Sequence, residues 1–291
     1  MPVFYRRLPR FRYVLPKTIE DAIEFLADHT GTTSPMAGGT DLIPNLKRRE
    51  IPAPAYVMDL KALSDLKELS YDPQRGLHIG ALATIRNISR YQPVRDLYPS
   101  LAQAAIGMAS PQIRNRATFA GNICSAIPSA DSAPPLLTLD ASAHVRGPKG
   151  ERAILLDQFF KGPRETAVQP DEIVTAITLP KPPDRSTYLK LSPRHSMDLA
   201  IVGVAAAANF DGGAFDNIRI ALGSVAPTPM RARKAEEVLR GRPIARSLIE
   251  EAAHAASMEC QPIGDQRASA LYRRDMVYVL TRRALEQVLA V

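Results

Sequence analysis

Two short segments of small residues, Ser34-Pro35-Met36-Ala37-Gly38-Gly39-Thr40-Asp41-Leu42 and Thr118-Phe119-Ala120-Gly121-Asn122-Ile123-Cys124, constrain this chain more than any other feature. Each sets glycine or alanine beside hydroxyl or amide side chains within otherwise β-prone sequence. Where no bulky side chain intervenes, backbone N–H groups can approach an anionic ligand closely. Two such loops can grip the two phosphates of a dinucleotide. Taken singly, a Gly-Gly-Thr is more often a plain turn. The matching chemistry of the pair is what separates it from a chance turn.

At 291 residues the chain exceeds the usual single-domain size, which implies two or three modules around separate cores. Its 45% apolar content is that of a globular protein, and no apolar run reaches the roughly 20 residues a membrane helix requires. A protein without a membrane span is expected. The opening Met1-Pro2-Val3-Phe4-Tyr5-Arg6-Arg7 lacks the apolar run of a secretory signal, so the expected location is cytoplasmic. Cys124 and Cys260 cannot supply the four thiolates of an iron-sulfur cluster, so any such cluster belongs to another chain. A disulfide between them and two packed thiols both remain open. The five histidines are dispersed, and no metal site is expected. The net charge of +7 suits an anionic cofactor or an acidic protein partner. Nucleic acid is not expected, because no groove-reading or base-stacking motif accompanies the charge. Neither Gly-x-Ser-x-Gly nor Gly-x-Gly-x-x-Gly occurs. The chemistry must then come from a cofactor, and no catalytic residue is assigned.

Along the chain, Phe11 to Pro16 reads as an edge strand, and Thr18 caps a helix running to about His29, ended by Gly31. Leu42 to Arg49 reads as a short helix, Val57 to Leu60 and Leu77 to Ala81 as strands, and Thr84 and Pro99 as helix starts. Arg114 and Arg116 either neutralise phosphate, pair with a partner or lie in solvent. Ala133 to Asp140 reads as a helix with proline at its first positions, and Asp131 before it as an N-cap or a hydroxyl acceptor. Strands follow at Ala143 to Val145 and Ile173 to Leu179. Pro180-Lys181-Pro182-Pro183 marks a boundary, and a second domain starts near Asp184. There Ile201 to Phe210 and Ile218 to Ser224 flank a hairpin turn at Asp211-Gly212-Gly213, and three helices occupy about 232–240, 246–258 and 269–289.

With Pro128-Ser129-Ala130-Asp131, Gly223-Ser224-Val225-Ala226-Pro227-Thr228-Pro229 and Tyr272-Arg273-Arg274, the two opening segments resemble the FAD-binding medium subunit of the molybdenum hydroxylases. That family includes xanthine dehydrogenase, carbon monoxide dehydrogenase, nicotinate dehydrogenase and hydroxybenzoyl-CoA reductase. The resemblance covers nearly the whole chain. It implies an α+β fold: two FAD-binding subdomains of the vanillyl-alcohol-oxidase type (1–60 and 61–182), then a C-terminal domain of antiparallel strands and helices (184–291). It places the FAD phosphates against Met36, Ala37, Gly38, Gly39, Thr40, Asp41 and Leu42 and against Thr118, Ala120, Gly121 and Asn122. Ala120 stands where the family usually has a glycine, which demands a negative φ there. The resemblance further implies cofactor contacts from Met108, Cys124, Asp131, Arg164, Val174 and Lys190. From the residues alone, Met108 and Val174 read equally as core, and Lys190 as an exposed strand position.

The implied function is electron transfer by a flavin between 2Fe-2S clusters on a small partner subunit and an outside acceptor such as NAD. A large partner would carry the molybdopterin cofactor and an aromatic, N-heterocyclic or acyl-CoA substrate, in a dimer of heterotrimers. Ala37 to Leu46 is especially similar to the hydroxybenzoyl-CoA reductase branch, yet the cysteine-rich insertion that often follows its second loop is missing between Cys124 and Asp131. Two other readings stand beside this one: a stand-alone FAD-dependent reductase and a cofactor-free binding module whose glycine loops are turns.

Overall fold

The computed structural model describes residues 7–194, 196–211 and 214–289. The chain opens with β1 (Arg12–Val14), α1 (Ile19–Asp28), β2 (Thr33–Met36), α2 (Leu42–Arg48) and β3 (Tyr56–Asp59). β3 lies between β1 and β2 and pairs with both in parallel, as helical crossovers require. Thr18 starts α1 by accepting a hydrogen bond from the Asp21 N–H, while the Asp21 carboxylate takes the Thr18 N–H. The helix stops at Asp28, and Gly31 supplies the left-handed residue beyond it.

Next come β4 (Leu69–Asp72), β5 (Gly76–Gly80), α3 (Ile85–Arg90), α4 (Gln92–Leu97), α5 (Pro99–Gly107), α6 (Pro111–Arg114), α7 (Phe119–Cys124) and α8 (Ala133–Thr138). They are followed by β6 (Ser142–Gly147), β7 (Gly150–Leu155), α9 (Leu156–Phe159), β8 (Phe160–Gly162), β9 (Glu165–Thr166) and β10 (Ile173–Leu179). β10 is the centre of an antiparallel sheet ordered β4-β5-β10-β6-β7. Its run of apolar residues is buried on both faces, whereas β6 alternates between the core and partial exposure. Leu77, Ile79, Ile85, Leu101, Phe119, Ile123, Leu136 and Ile177 meet in one core beneath this sheet.

The last part holds β11 (Arg185–Leu191), β12 (Val202–Asp211), β13 (Ala214–Gly223), β14 (Met230–Arg231), α10 (Arg233–Leu239), α11 (Arg246–Glu259) and α12 (Ala270–Leu289). The strands form an antiparallel sheet in chain order. The alanine run of β12 divides by strand period. Val204, Ala206 and Ala208 face α10 to α12, whereas Ala205 packs with Tyr188 and Ala104, and Ala207 joins the core beneath the preceding sheet. Small side chains on that face let α5 and α8 lie close against β11 to β13.

The structure departs from the sequence expectations at several points. Thr118 to Cys124 is not a loop: Thr118 caps α7, and Ala120 and Gly121 are helical, so the φ demand on Ala120 is met. Ser132, rather than Asp131, holds the N-cap position of α8, and the helix ends at Thr138, with Asp140 left-handed at φ 48°. β4 and β7, whose charged and polar residues hide their alternation, escaped the pattern reading. Gly212 and Gly213 of the expected hairpin turn lie outside the described residues. Both cysteines are free, which removes the disulfide.

Candidate functional site

The loop between β2 and α2 carries Ala37 to Asp41. Gly39 is left-handed at φ 73°, turning the chain from strand into helix. Gly38 answers a different demand. A Cβ built there would lie 2.2 Å from the Arg116 carbonyl oxygen and 2.8 Å from the Ala117 Cα. Its bare backbone therefore lets the first loop press against the chain entering α7. A Cβ on Gly121 would lie 4.0 Å from the Ala37 Cβ, so the two glycine segments face one another. Three hydroxyls fix them. Thr118 Oγ1 accepts from the Gly121 N–H at 3.0 Å, Ser125 donates to Asp41 Oδ2 at 2.7 Å, and Ser132 donates to Asn122 Oδ1 at 2.6 Å.

A cavity of about 240 Å³ opens beside this junction, walled by Ala37 and Thr118 from the two segments and by Lys61, Lys67 and Arg116. Lys61 is held by Asp59 at 2.5 Å, and Asp59 also accepts from the Tyr13 hydroxyl. Lys67 and Arg116 are exposed. Three cations next to two close-packed backbone segments form a setting for an anionic group. Sequence reading named Arg116 but missed Lys61 and Lys67, which stand far from either glycine segment and bear no motif.

The other pole of the site lies across the seam between the domains. Asp131 Oδ1 accepts from the Tyr188 hydroxyl at 2.8 Å, and Oδ2 accepts from Lys190 Nζ at 2.7 Å. Lys190 also donates to the Asp198 carbonyl at 2.9 Å. All three side chains are largely buried, so the exposed reading of Lys190 fails. Burial pushes the Asp131 carboxyl above its ordinary value, against the opposing pull of Lys190 and Tyr188. Burial, then the adjacent carboxylate, raises the Tyr188 phenol well above its own.

Local sequence explains the placement of this cluster. Tyr188 and Lys190 are two apart on β11 and share a face. Lys190 pairs with Gly203, where a Cβ would meet the Tyr188 hydroxyl at 2.7 Å, so only glycine leaves the phenol room to reach Asp131. Gln103 of α5 accepts from the Tyr188 N–H at 2.6 Å and fixes the strand against the helix. The period-two spacing to Lys190 was the signal that could have singled out Tyr188.

The remaining residues of the expected site are spread over its surroundings. Met108 and Val174 are buried in the main core. Arg164 is left-handed, ties its N–H to the Ala126 carbonyl and points to Glu50 at 3.6 Å, beyond the C-terminal end of α2. It does not join the Asp131 cluster. Cys124 is exposed, yet so much protein surrounds it that burial pushes its thiol up to about 12. Arg273 is 4% exposed and donates to the Ile201 and Ser224 carbonyls and to Asp265, so this part of the Tyr272-Arg273-Arg274 motif ties α12 to β12 and β13.

Residues 9–182 match the family model described as the FAD binding domain in molybdopterin dehydrogenase, and residues 187–288 that of the CO dehydrogenase flavoprotein C-terminal domain. The chain belongs to the FAD-binding medium-subunit family of the molybdenum hydroxylases. The xanthine dehydrogenase FAD-binding subunit of Escherichia coli O157:H7 is 32% identical, over 94% of this chain and 94% of its own. The glyceraldehyde dehydrogenase medium chain of Sulfolobus acidocaldarius is also 32% identical, over 96% of this chain and 99% of its own. Among solved structures, carbon monoxide dehydrogenase from Hydrogenophaga pseudoflava, in a form lacking the Mo-pyranopterin moiety, matches with a TM-score of 0.93 at 31% identity, covering 98% of this chain and 99% of that one. No helix among the described residues is long and apolar enough to cross a membrane.

Proposed function

We propose that this chain holds FAD in extended form along the seam between its FAD-binding domain and its C-terminal domain. The pyrophosphate lies against residues 36–42 and 118–122, with Lys61, Lys67 and Arg116 supplying counter-charge, and the flavin end lies toward Asp131, Tyr188, Lys190 and Cys124. The observation that carries this reading is the pairing of a cationic cavity at the glycine junction with a buried Asp-Tyr-Lys cluster across the seam. The residues fit the group: Gly38 lets the two segments close on one another, Ala37 and Thr118 from those segments wall the cavity, and Lys67 and Arg116, which form no ion pair among the described residues, balance a pyrophosphate.

Bound flavin takes electrons singly or in pairs, so it can join one-electron carriers to a two-electron acceptor. The chain's own residues bind and orient. Asp131 holds the Lys190 ammonium in place, and Tyr188 fixes Asp131. A cation kept there favours negative charge on a neighbouring group. In this reading the partners are a small iron-sulfur subunit and a large molybdopterin subunit, assembled as a dimer of heterotrimers in the cytoplasm. The substrate, aromatic, N-heterocyclic or acyl-CoA, belongs to the large subunit, and NAD is one acceptor. The division of the chain at 1–60, 61–182 and 184–291 belongs to the same proposal.

Co-expression with neighbouring iron-sulfur and molybdopterin reading frames tests the partner assignment. The expected result is co-purification of three chains and substrate-dependent bleaching of flavin absorbance. Oxidation of NAD(P)H with reduction of a small substrate by the isolated chain would contradict it and favour the stand-alone reductase.

A further inference from the structure

A second cavity, of about 470 Å³, lies on the same domain seam but away from the flavin site. The FAD-binding domain contributes Arg75 and Asp140, the proline-rich connection contributes Lys181, and the C-terminal sheet contributes Asn209, Asn217 and Arg219. Asp140 is paired with Arg219 and lies 3.4 Å from Arg231, which in turn is matched by Glu236 at 2.7 Å. Of the charged residues in the lining, three are cations and one is a carboxylate, so two positive charges are left over. Those belong to Arg75 and Lys181, exposed side chains outside the close ion pairs of the described residues; Asp72, which is not in the lining, is the carboxylate that Arg75 acts on.

The walls are suited to an organic anion. Asn209 and Asn217 stand opposite each other on β12 and β13 and line the cavity together with Arg219, the Asn209 amide being oriented by the Asp184 N–H, from which its oxygen accepts. Pro180 and Pro183 also line the cavity and restrict the connection that forms its side, which lowers the entropy lost on binding. The space is that of a ligand pocket for a molecule up to nucleotide size. We propose that this cavity binds a polar organic anion carrying two negative charges, either a phosphate monoester or a dicarboxylate.

The location gives such binding a consequence. From Pro183 at the cavity wall, the chain running into β11 reaches Lys190 after about 23 Å at the usual strand rise. α8 runs from beside Asp131 to Thr138 at the cavity wall. The same two elements therefore carry the Asp131–Lys190 pair at one end and the anion cavity at the other. A ligand bridging Arg75 and Lys181 to Arg219 clamps the domains that enclose the flavin. By linkage, anion and flavin then each raise the affinity for the other.

Titration calorimetry with AMP and with malate, on FAD-loaded and on flavin-free chain, tests the site. The expected result is one binding event per chain with Kd at or below ~1 mM for at least one probe. AMP alone binding identifies a phosphate-ester site, and malate alone a dicarboxylate site. The double variant Arg75→Ala/Lys181→Ala changes exposed residues only and is expected to weaken that event at least tenfold, with unchanged FAD content. Absence of binding by both probes at 10 mM (~2.7 kcal/mol on the same scale), or equal binding by wild type and double variant, overturns the proposal. Since the comparison of these two proteins runs with or without flavin, a failure of the flavin assignment would be seen separately, in the FAD content.

Discussion

Replacing Gly38 and Gly121 by alanine separates the packing of the glycine junction from its use. At Gly38 the new methyl would meet backbone atoms at 2.2, 2.7 and 2.8 Å, none of which belongs to a movable side chain. The first loop must then retreat from α7 by about 1 Å, and overpacking of this kind costs roughly 1–3 kcal/mol. For a chain of this size that lowers Tm by roughly 2–10 °C. At Gly121 the methyl would lie 3.1 Å from Thr118 Oγ1 and 4.0 Å from the Ala37 Cβ, a fit needing only a few tenths of an ångström. Helix propensity there favours alanine by about 1 kcal/mol. Gly121→Ala should therefore keep or raise Tm while its methyl enters the gap assigned to the pyrophosphate. Thermal melts and FAD titration by flavin fluorescence read the two effects apart. The expected outcome is loss of both stability and flavin in Gly38→Ala. Gly121→Ala should lose at least tenfold in FAD affinity at unchanged or higher Tm, about 1.4 kcal/mol. Wild-type FAD affinity in Gly121→Ala would refute the placement of the phosphates, and a wild-type Tm in Gly38→Ala would refute the packing argument.

Other residues give sharper readings of single contacts. Burial raises the Asp131 carboxyl, so the folded chain binds that proton more tightly than the unfolded one. Urea midpoints should accordingly show wild type losing ground to Asp131→Asn as pH rises above about 4; a gain instead would mean that the Lys190 pair outweighs desolvation. Asp265 behaves oppositely: against some burial, hydrogen bonds from the Arg267 and Ala268 N–H groups and from Arg273 bring it down to about 2. Its contribution, on the order of 1 kcal/mol after solvent screening, is present above pH 4 and disappears toward pH 2, so Asp265→Ala should destabilise at pH 7 and match wild type at pH 2. An equal difference at both values would exclude ionisation as the cause. With its thiol pushed up to about 12, Cys124 should alkylate with iodoacetamide at pH 8 at least a hundredfold slower than a free thiol, and slower still with FAD bound. Labelling at the free-thiol rate would contradict the desolvation of this thiol by the protein around it.

Much of this architecture could be read from the chain because local signals agreed with tertiary demands. Thr18 with Asp21, Thr84 and Pro99 each mark a helix start by their own chemistry, and the structure begins a helix at each, while the proline run at 180–183 falls between β10 and β11. β4 and β7 were missed because Asp72 in the one and Glu151 and Arg152 in the other break the apolar alternation, although each strand pairs with its neighbour in sequence as a hairpin. The α7 segment reads as a loop because its six residues include glycine and asparagine. Its helix is held by the Thr118 cap and by Phe119 and Ile123 in the core. At the site, the glycine segments were legible and the cations around them were not. Lys61 and Lys67 enter through the folding of a distant stretch, and Tyr188 through the absence of a side chain on Gly203.

The most direct test of the account is an absorption spectrum of the purified chain, followed by acid release and chromatography of its cofactor. The predicted result is flavin bands with FAD released at about one per chain. Should the chain emerge colourless and stay so after added FAD and co-expression with its partner subunits, the proposed site and the electron-transfer role built on it would both be contradicted.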